Sequence, residues 1–78
     1  MGKKFKGAAI QPQIQMESGE VRHFNTYREL KTKLREAIID NGYEAVFVVR
    51  SRRGQWGEWT EWWKIENGIP TIIKEGWS

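Results

Sequence analysis

A two-residue turn near the end of the chain constrains the fold more than any other feature of the sequence. Asn67-Gly68 stands between residues 58–66 and 69–75, two stretches rich in aromatic and β-branched side chains. This dipeptide is the strongest short-range signal of a type I′ turn, because both of its residues accept a positive φ. We therefore predict a β-hairpin whose strands pair residue by residue outward from the turn.

Period-two alternation predicts a second hairpin closer to the N-terminus. From Ile10 to Met16 apolar side chains alternate with glutamines, which is typical of a strand with one buried face. Pro12 has no N–H for a strand ladder, so we expect this strand at a sheet edge or a bulge. Ser18-Gly19 predicts the turn, and residues 21–24 predict the return strand.

One helix is predicted between the two hairpins. Thr26 and Glu29 have the spacing of a capping box, in which each side chain accepts from the other residue's backbone N–H. Gly42 supplies the left-handed position that ends the helix. Between these signals the apolar side chains fall on one stripe at helical spacing: Tyr27, Leu30, Leu34, Ala37 and Ile38.

The predicted fold class is α+β. Residues 43–52 predict a central strand, because the run from Val46 to Val49 is apolar on both faces. The order is therefore strand, strand, helix, strand, strand, strand, with one helix packed on a mainly antiparallel sheet. This arrangement is similar to a β-grasp outline, although no motif carries the likeness. We assign residues 10–78 to a single small domain and residues 1–9 to a basic, loose lead-in.

The register of the C-terminal hairpin sorts the sheet's side chains onto two faces. Counting back from the turn gives these cross-strand pairs: Trp63 with Ile72, Trp62 with Ile73, and Glu61 with Lys74. A loop centred on Gly54 extends the pairing to the preceding strand: Arg50 with Trp59, Phe47 with Trp62, and Val46 with Trp63. We expect the helix to cover the face with Phe47 and Trp62, which leaves Trp59 and Trp63 on the other face.

The face opposite the helix is the predicted working surface, because one helix cannot cover both sides of a sheet. Its candidate partner-binding residues are Arg50, Arg52, Trp59, Trp63 and Lys74. Trp and Arg are among the residue types most enriched in binding hot spots. Three interpretations remain open: the N-terminal hairpin covers this face as a second layer, a second copy of the chain covers it, or a protein partner docks on it.

Residue chemistry argues against most catalytic and metal sites. The chain has no cysteine and one histidine, His23, so it offers neither a thiolate nucleophile nor a Cys/His metal site. Glu58 and Glu61 are three residues apart on one strand, so they point to opposite faces rather than form a carboxylate pair. We predict a non-enzymatic protein without cofactor or metal. A small enzyme with a site assembled across a dimer is a weaker alternative.

Basic residues next to aromatic ones give nucleic-acid binding as the alternative hypothesis. The formal net charge is +3, and cations can contact phosphates while rings stack on bases. The candidate residues for this role are Lys3, Lys4, Lys6, Arg50, Arg52, Arg53 and Trp56. Glutamates among the tryptophans would repel phosphate, so a protein partner is the first interpretation.

The chain is expected to be cytoplasmic. Its longest apolar runs are far shorter than the ~20 residues that cross a bilayer, so we expect no membrane association. The absence of cysteine suits a reducing compartment. The sequence therefore predicts a small interaction module that binds a protein partner or a second copy of itself.

Overall fold

Five strands and two helices form the fold in the computed structural model, which describes residues 10–52, 54 and 57–77. In chain order they are β1 (Gln13–Gln15), β2 (Val21–His23), α1 (Tyr27–Thr32), α2 (Leu34–Asp40), β3 (Val46–Arg50), β4 (Trp59–Glu66) and β5 (Ile69–Trp77). This is the predicted α+β order, with the predicted helix divided in two. The predicted lead-in at residues 1–9 lies outside the described residues.

The described strands form one antiparallel sheet in the order β2-β1-β3-β4-β5. β2 and β3 flank β1, so the helices that join them must cross over β1 on one side of the sheet. The predicted helical stripe lies there against the strands. The buried core consists of Ile14, Met16, Leu30, Leu34, Ala37, Ile38, Val46 and Val48.

The two faces of the sheet are the reverse of the prediction. Ile14 lies opposite Val48, and Val46 lies opposite Trp63, so these side chains form the face beneath the helices, the helix-packed face. The second face carries the alternate residues Gln13, Gln15, Phe47, Val49, Thr60 and Trp62. The prediction was wrong because it did not pair β3 with β1, whose buried side chain is Ile14.

The helix begins at its predicted cap and is interrupted at Lys33. Thr26 Oγ1 accepts from the Glu29 N–H at 3.1 Å, and Glu29 Oε1 accepts from the Thr26 N–H at 3.2 Å. The Thr32 hydroxyl donates to the Glu29 carbonyl oxygen, and Lys33 then has φ −106° and ψ 2°. A hydroxyl bonded to the preceding turn bends a helix, which accounts for the division. Gly42 has φ +71°, which confirms the predicted stop.

Removing the N-cap hydroxyl should lower stability modestly. Thr26→Ala leaves the Glu29 N–H without its acceptor, and we expect the free energy of unfolding to fall by about 1 kcal/mol. For a domain of this size the melting temperature, followed by circular dichroism, should fall by about 4–8 °C. Thr26→Ser keeps the hydroxyl and should retain most of the stability. An equal loss in both variants would contradict the cap as the cause.

The turn between β4 and β5 confirms the predicted type I′ geometry. Asn67 and Gly68 have φ values of +54° and +78°, and Glu66 lies opposite Ile69 as predicted. Three predicted pairs between β3 and β4 are also confirmed: Arg50 with Trp59, Phe47 with Trp62, and Val46 with Trp63. The turn chemistry therefore fixes the register close to it.

A β-bulge shifts the register further from the turn. Ile73 has no partner on β4, so Lys74 lies opposite Trp62, and Glu75 lies opposite Glu61. The predicted pairs of Trp62 with Ile73 and of Glu61 with Lys74 are therefore wrong by one position. Because one inserted residue moves the following side chains across the sheet, Lys74 shares the second face with Trp62.

The N-terminal hairpin extends the sheet and does not cover it. β1 pairs with β3 and carries β2 on its other side, so the interpretation of this hairpin as a second layer is wrong. β1 is not an edge strand either, because it pairs with β2 on one side and with β3 on the other. Pro12 lies just before its first residue, so the missing N–H does not interrupt the strand pairing. Neither described helix is long and apolar enough to cross a membrane.

Candidate functional site

The five predicted partner-binding residues do not share one surface. Arg50, Trp59 and Trp63 lie on the helix-packed face. The guanidinium of Arg52 stacks over the Trp59 ring, 4.6 Å from a ring centroid. Lys74 lies on the second face because of the bulge in β5. The predicted docking face is therefore split between the two sides of the sheet.

The residues predicted for nucleic-acid binding lie mostly outside the described part of the chain. These are Lys3, Lys4, Lys6, Arg53 and Trp56. Arg50 forms an ion pair with Glu61, with 3.1 Å between Arg50 Nη2 and Glu61 Oε2. Its charge is therefore already compensated inside the domain.

Glu61 is the centre of a buried polar network on the helix-packed face. Its side chain is 2% exposed. Glu61 Oε1 accepts from the Tyr27 hydroxyl at 2.8 Å and from Trp63 Nε1 at 2.9 Å. Glu61 Oε2 accepts from Trp59 Nε1 at 2.9 Å and from Arg50 Nη2 at 3.1 Å. These donors occupy the roughly four positions at which a carboxylate accepts hydrogen bonds.

The network sets the ionisation of two side chains. Burial alone raises the pKa of Glu61, but the four hydrogen bonds outweigh burial and hold this pKa below its usual value. Burial, reinforced by the hydrogen bond to Glu61, raises the pKa of Tyr27 well above its usual value. The Arg50 guanidinium stacks on the Tyr27 ring at 3.6 Å from the centroid, which adds a cation–π contact.

A structural role follows from this geometry. Both oxygens of Glu61 are fully engaged, so the carboxylate has no free position at which to take a proton from a substrate or to hold a ligand. Its partners come from the start of α1, from β3 and from β4. Glu61 therefore ties the helix to the sheet, and Arg50, Trp59 and Trp63 are occupied in doing so.

An aromatic groove lies on the second face. The rings of Phe47 and Trp62 are cross-strand neighbours, with centroids 5.3 Å apart and planes inclined by 46°. The groove has a volume of about 350 Å³ and is lined by Gln15, Met16, Glu17, Glu44, Ala45, Phe47 and Trp62. Trp62 is 40% exposed, whereas Val49 and Thr60 on the same face are buried. The Phe47–Trp62 groove is therefore an accessible aromatic part of the second face, next to the exposed side chains of Lys64 and Lys74.

Asn41 joins the two segments that form the rim of the groove. Its Oδ1 accepts from the Glu17 N–H at 3.2 Å. Its Nδ2 donates to the carbonyl oxygens of Glu44 at 3.3 Å and of Ala45 at 3.2 Å. The turn after β1 and the loop after α2 thus share one anchor, which holds Glu17 and Glu44 beside the aromatic rings.

Part of this groove was predicted from the sequence. The pairing of Phe47 with Trp62 was predicted, but on the face assigned to the helix. Glu17 and Glu44 follow different elements, and no local pattern connects them. Asn41 directly precedes the predicted helix stop at Gly42, a position where its side chain can bond neighbouring backbone groups.

Comparison of the chain with protein-family models, with curated proteins and with solved structures gives no match. Within residues 10–52, 54 and 57–77, no three His, Cys, Asp or Glu side chains are grouped so that they could hold a metal ion.

Proposed function

We propose that this chain is a small non-enzymatic interaction module that docks a protein partner on the Phe47–Trp62 groove. One observation carries the proposal. Trp62 is paired with Phe47, lines a groove of about 350 Å³ and remains 40% exposed in the folded domain. A large aromatic side chain left in water beside a groove is typical of an anchor site for a partner.

The composition around the groove suits a protein interface. Aromatic side chains are enriched at the centres of interfaces, and polar or charged residues form the rims. Phe47 and Trp62 have the central position, with Glu17 and Glu44 beside them. Lys74 lies opposite Trp62 on β5, so this predicted binding residue remains close to the proposed interface.

The other predicted binding residues are less suited to docking. Arg50, Trp59 and Trp63 each donate to Glu61, and a partner that engaged their polar groups would have to break those hydrogen bonds. An uncompensated buried carboxylate is strongly destabilising. We therefore place the docking surface on the second face.

Nucleic acid fits the groove poorly. The carboxylates of Glu17 and Glu44 line it and would repel phosphates, while the charge of Arg50 is paired with Glu61. Nucleic-acid binding therefore stays the alternative outcome of the experiment below.

Trp62→Ala is expected to weaken partner binding strongly, whereas Trp77→Ala should leave it nearly unchanged. The two tryptophans are matched in exposure, at 40% and 45%, but Trp77 packs edge-on against Trp59, away from the groove. The wild type and both variants are immobilised and exposed to extract from the source cells. Retained proteins are identified and then titrated in purified form by calorimetry. Loss of a central tryptophan anchor should weaken binding at least about thirtyfold.

Three outcomes would contradict this proposal. A purified partner that binds Trp62→Ala as tightly as wild type places the interface elsewhere. An oligonucleotide whose affinity falls steeply with salt, as the retained ligand, favours the nucleic-acid alternative. A dimer seen by sedimentation in the wild type and lost in Trp62→Ala shows that a second copy covers the groove. Circular dichroism of each variant controls for folding.

A further inference from the structure

The Phe47–Trp62 groove combines aromatic rings with carboxylates, and this combination indicates the chemistry of its ligand. Glu17 and Glu44 are exposed residues on the groove lining. A cation is attracted both to the face of an aromatic ring and to a carboxylate. An anionic group would be repelled by two like charges here, and a purely apolar group would gain no attraction from them.

The charges around the groove support this interpretation. Glu20 and Asp40, at the same end of the domain, are both bound by Arg22, at 2.8 Å and 3.0 Å. Neither Glu17 nor Glu44 forms an ion pair with any residue in the described ranges. In the part of the chain that the structure describes, Glu17 and Glu44 are therefore two exposed carboxylates without an ion-pair partner beside the rings.

The backbone on which these charges stand is held in place. Asn41 bonds the Glu17 N–H and the Glu44 carbonyl oxygen, so the two rim segments are fixed relative to each other and to the end of α2. Lys74 lies on the other side of Trp62, across the strand pair. Lys64, two residues along β4, flanks Trp62 on the same face, so a bound cation is favoured on the side of the groove that Glu17 and Glu44 line.

We propose that the groove receives a lysine or arginine side chain from a basic, exposed segment of the protein partner. The aliphatic stem of such a side chain packs on Phe47 and Trp62, and its charged end lies between Glu17 and Glu44. A volume of about 350 Å³ is at the lower end for ligand sites, which fits one long side chain and its flanking backbone better than a folded element. This inference rests on the proposed function and specifies the partner's chemistry.

A peptide titration tests the proposal without knowledge of the partner. The probe is the blocked peptide acetyl-Gly-Lys-Gly-Lys-Gly-amide, and the control is the same peptide with glutamine in place of lysine. The full chain is isotope-labelled and followed by NMR. The lysine peptide should shift the Trp62 indole N–H signal and the amide signals of Phe47 and Glu44, and the glutamine peptide should not. Raising the salt from about 0.05 M to 0.5 M should weaken the effect.

Charge-neutralising variants make the test specific to the rim. Glu17→Gln with Glu44→Gln should weaken lysine-peptide binding about threefold to tenfold, which is the effect of losing two exposed ion pairs. The matched double variant Glu36→Gln with Glu66→Gln removes two exposed carboxylates away from the groove and should change nothing. Equal binding of the glutamine peptide, or shifts confined to residues away from the groove, would overturn the proposal.

The remaining outcomes separate this inference from the proposed function. A purified partner that needs Trp62 but binds the Glu17→Gln/Glu44→Gln variant with unchanged affinity leaves the docking surface in place and refutes the cationic side chain. Unchanged binding in Trp62→Ala refutes both. Replacement of Lys3, Lys4 and Lys6 by glutamine is the last control. If it moves the Trp62 indole signal in the free protein, the groove receives this chain's own basic segment and the proposed occupant is wrong.

Discussion

Replacement of Glu61 by glutamine is expected to destabilise the domain by about 3 kcal/mol, the lower end of the range for breaking a buried ion pair, because Arg50 is partly exposed. A glutamine side chain has nearly the same shape, but its NH₂ group replaces one acceptor oxygen. Two of the four donors that now bind Glu61 would then face another donor. The melting temperature should fall by about 12–24 °C for a domain of this size.

Acid should reproduce the effect of this substitution. The pKa of Glu61 is lower in the folded chain than its usual value of 4.5, so ionised Glu61 stabilises the fold above that pH. The contribution is lost as the pH falls through the folded pKa. The difference in unfolding free energy between wild type and Glu61→Gln, measured in urea, should therefore be largest near neutral pH and shrink below about pH 4.5.

Glu66→Gln is the matched control for Glu61→Gln. It lies on the same strand with an exposed side chain, so its stability should stay within about 0.5 kcal/mol of the wild type. A difference between wild type and Glu61→Gln that does not change with pH would mean that packing, and not the charge of Glu61, stabilises this end of the sheet.

Ile38→Ala is expected to lower the free energy of unfolding about as much as Glu61→Gln does, but through the loss of buried apolar contacts. Ile38 is on the buried side of α2, at 0% exposure, and belongs to the same apolar core as Ile14 and Val48. Truncation to alanine removes buried methyl groups and leaves a cavity, at a cost of about 2–5 kcal/mol. A domain of 78 residues has a total stability of only about 4–12 kcal/mol, so the variant should be partly unfolded or should melt close to room temperature.

The adjacent residue provides a control of identical chemistry. Ile39 is 40% exposed, and Ile39→Ala removes the same atoms one position along the helix. Its unfolding free energy, measured by urea denaturation beside that of Ile38→Ala, should change by less than about 1 kcal/mol. Equal losses in the two variants would contradict the assignment of this helix face to the core.

The element order was predictable because its signals are local. The turn at Asn67-Gly68, the capping box at Thr26 and the stop at Gly42 each depend on residues a few positions apart. Such short-range chemistry specifies where helices and strands begin and end. It also specified the register near the turn.

The covered face was not predictable from the same signals. It depends on the pairing of β1 with β3, two strands on opposite sides of the helices in the chain, and thus on the path of the crossover. Glu61 lies on the face that was predicted to be exposed, but its side chain is 2% exposed. The spacing of the three residues nevertheless indicates their contact. Trp59 and Trp63 lie two residues on either side of Glu61, so both indole N–H groups share its face of the sheet.

Prediction of the Phe47–Trp62 groove requires knowledge of contacts between residues still further apart in the sequence. Phe47 and Trp62 were paired correctly, but Glu17, Glu44 and Asn41 come together only when the turn after β1 meets the end of α2. No periodicity connects these positions. A surface assembled from separate loops follows from the tertiary fold and not from local sequence.

The unpaired Ile73 affects whether two copies of this chain can pair through the edges of their sheets. β5 is one of the two outer strands of the described sheet and runs for nine residues, Ile69–Trp77. Its outward N–H and C=O groups offer a template for a strand from a neighbouring molecule. The irregular backbone at Ile73, the missing N–H of Pro70 and the charges of Lys74 and Glu75 interrupt that template. The bulge at Ile73, which places Lys74 on the second face, therefore also hinders edge-to-edge polymerisation through β5.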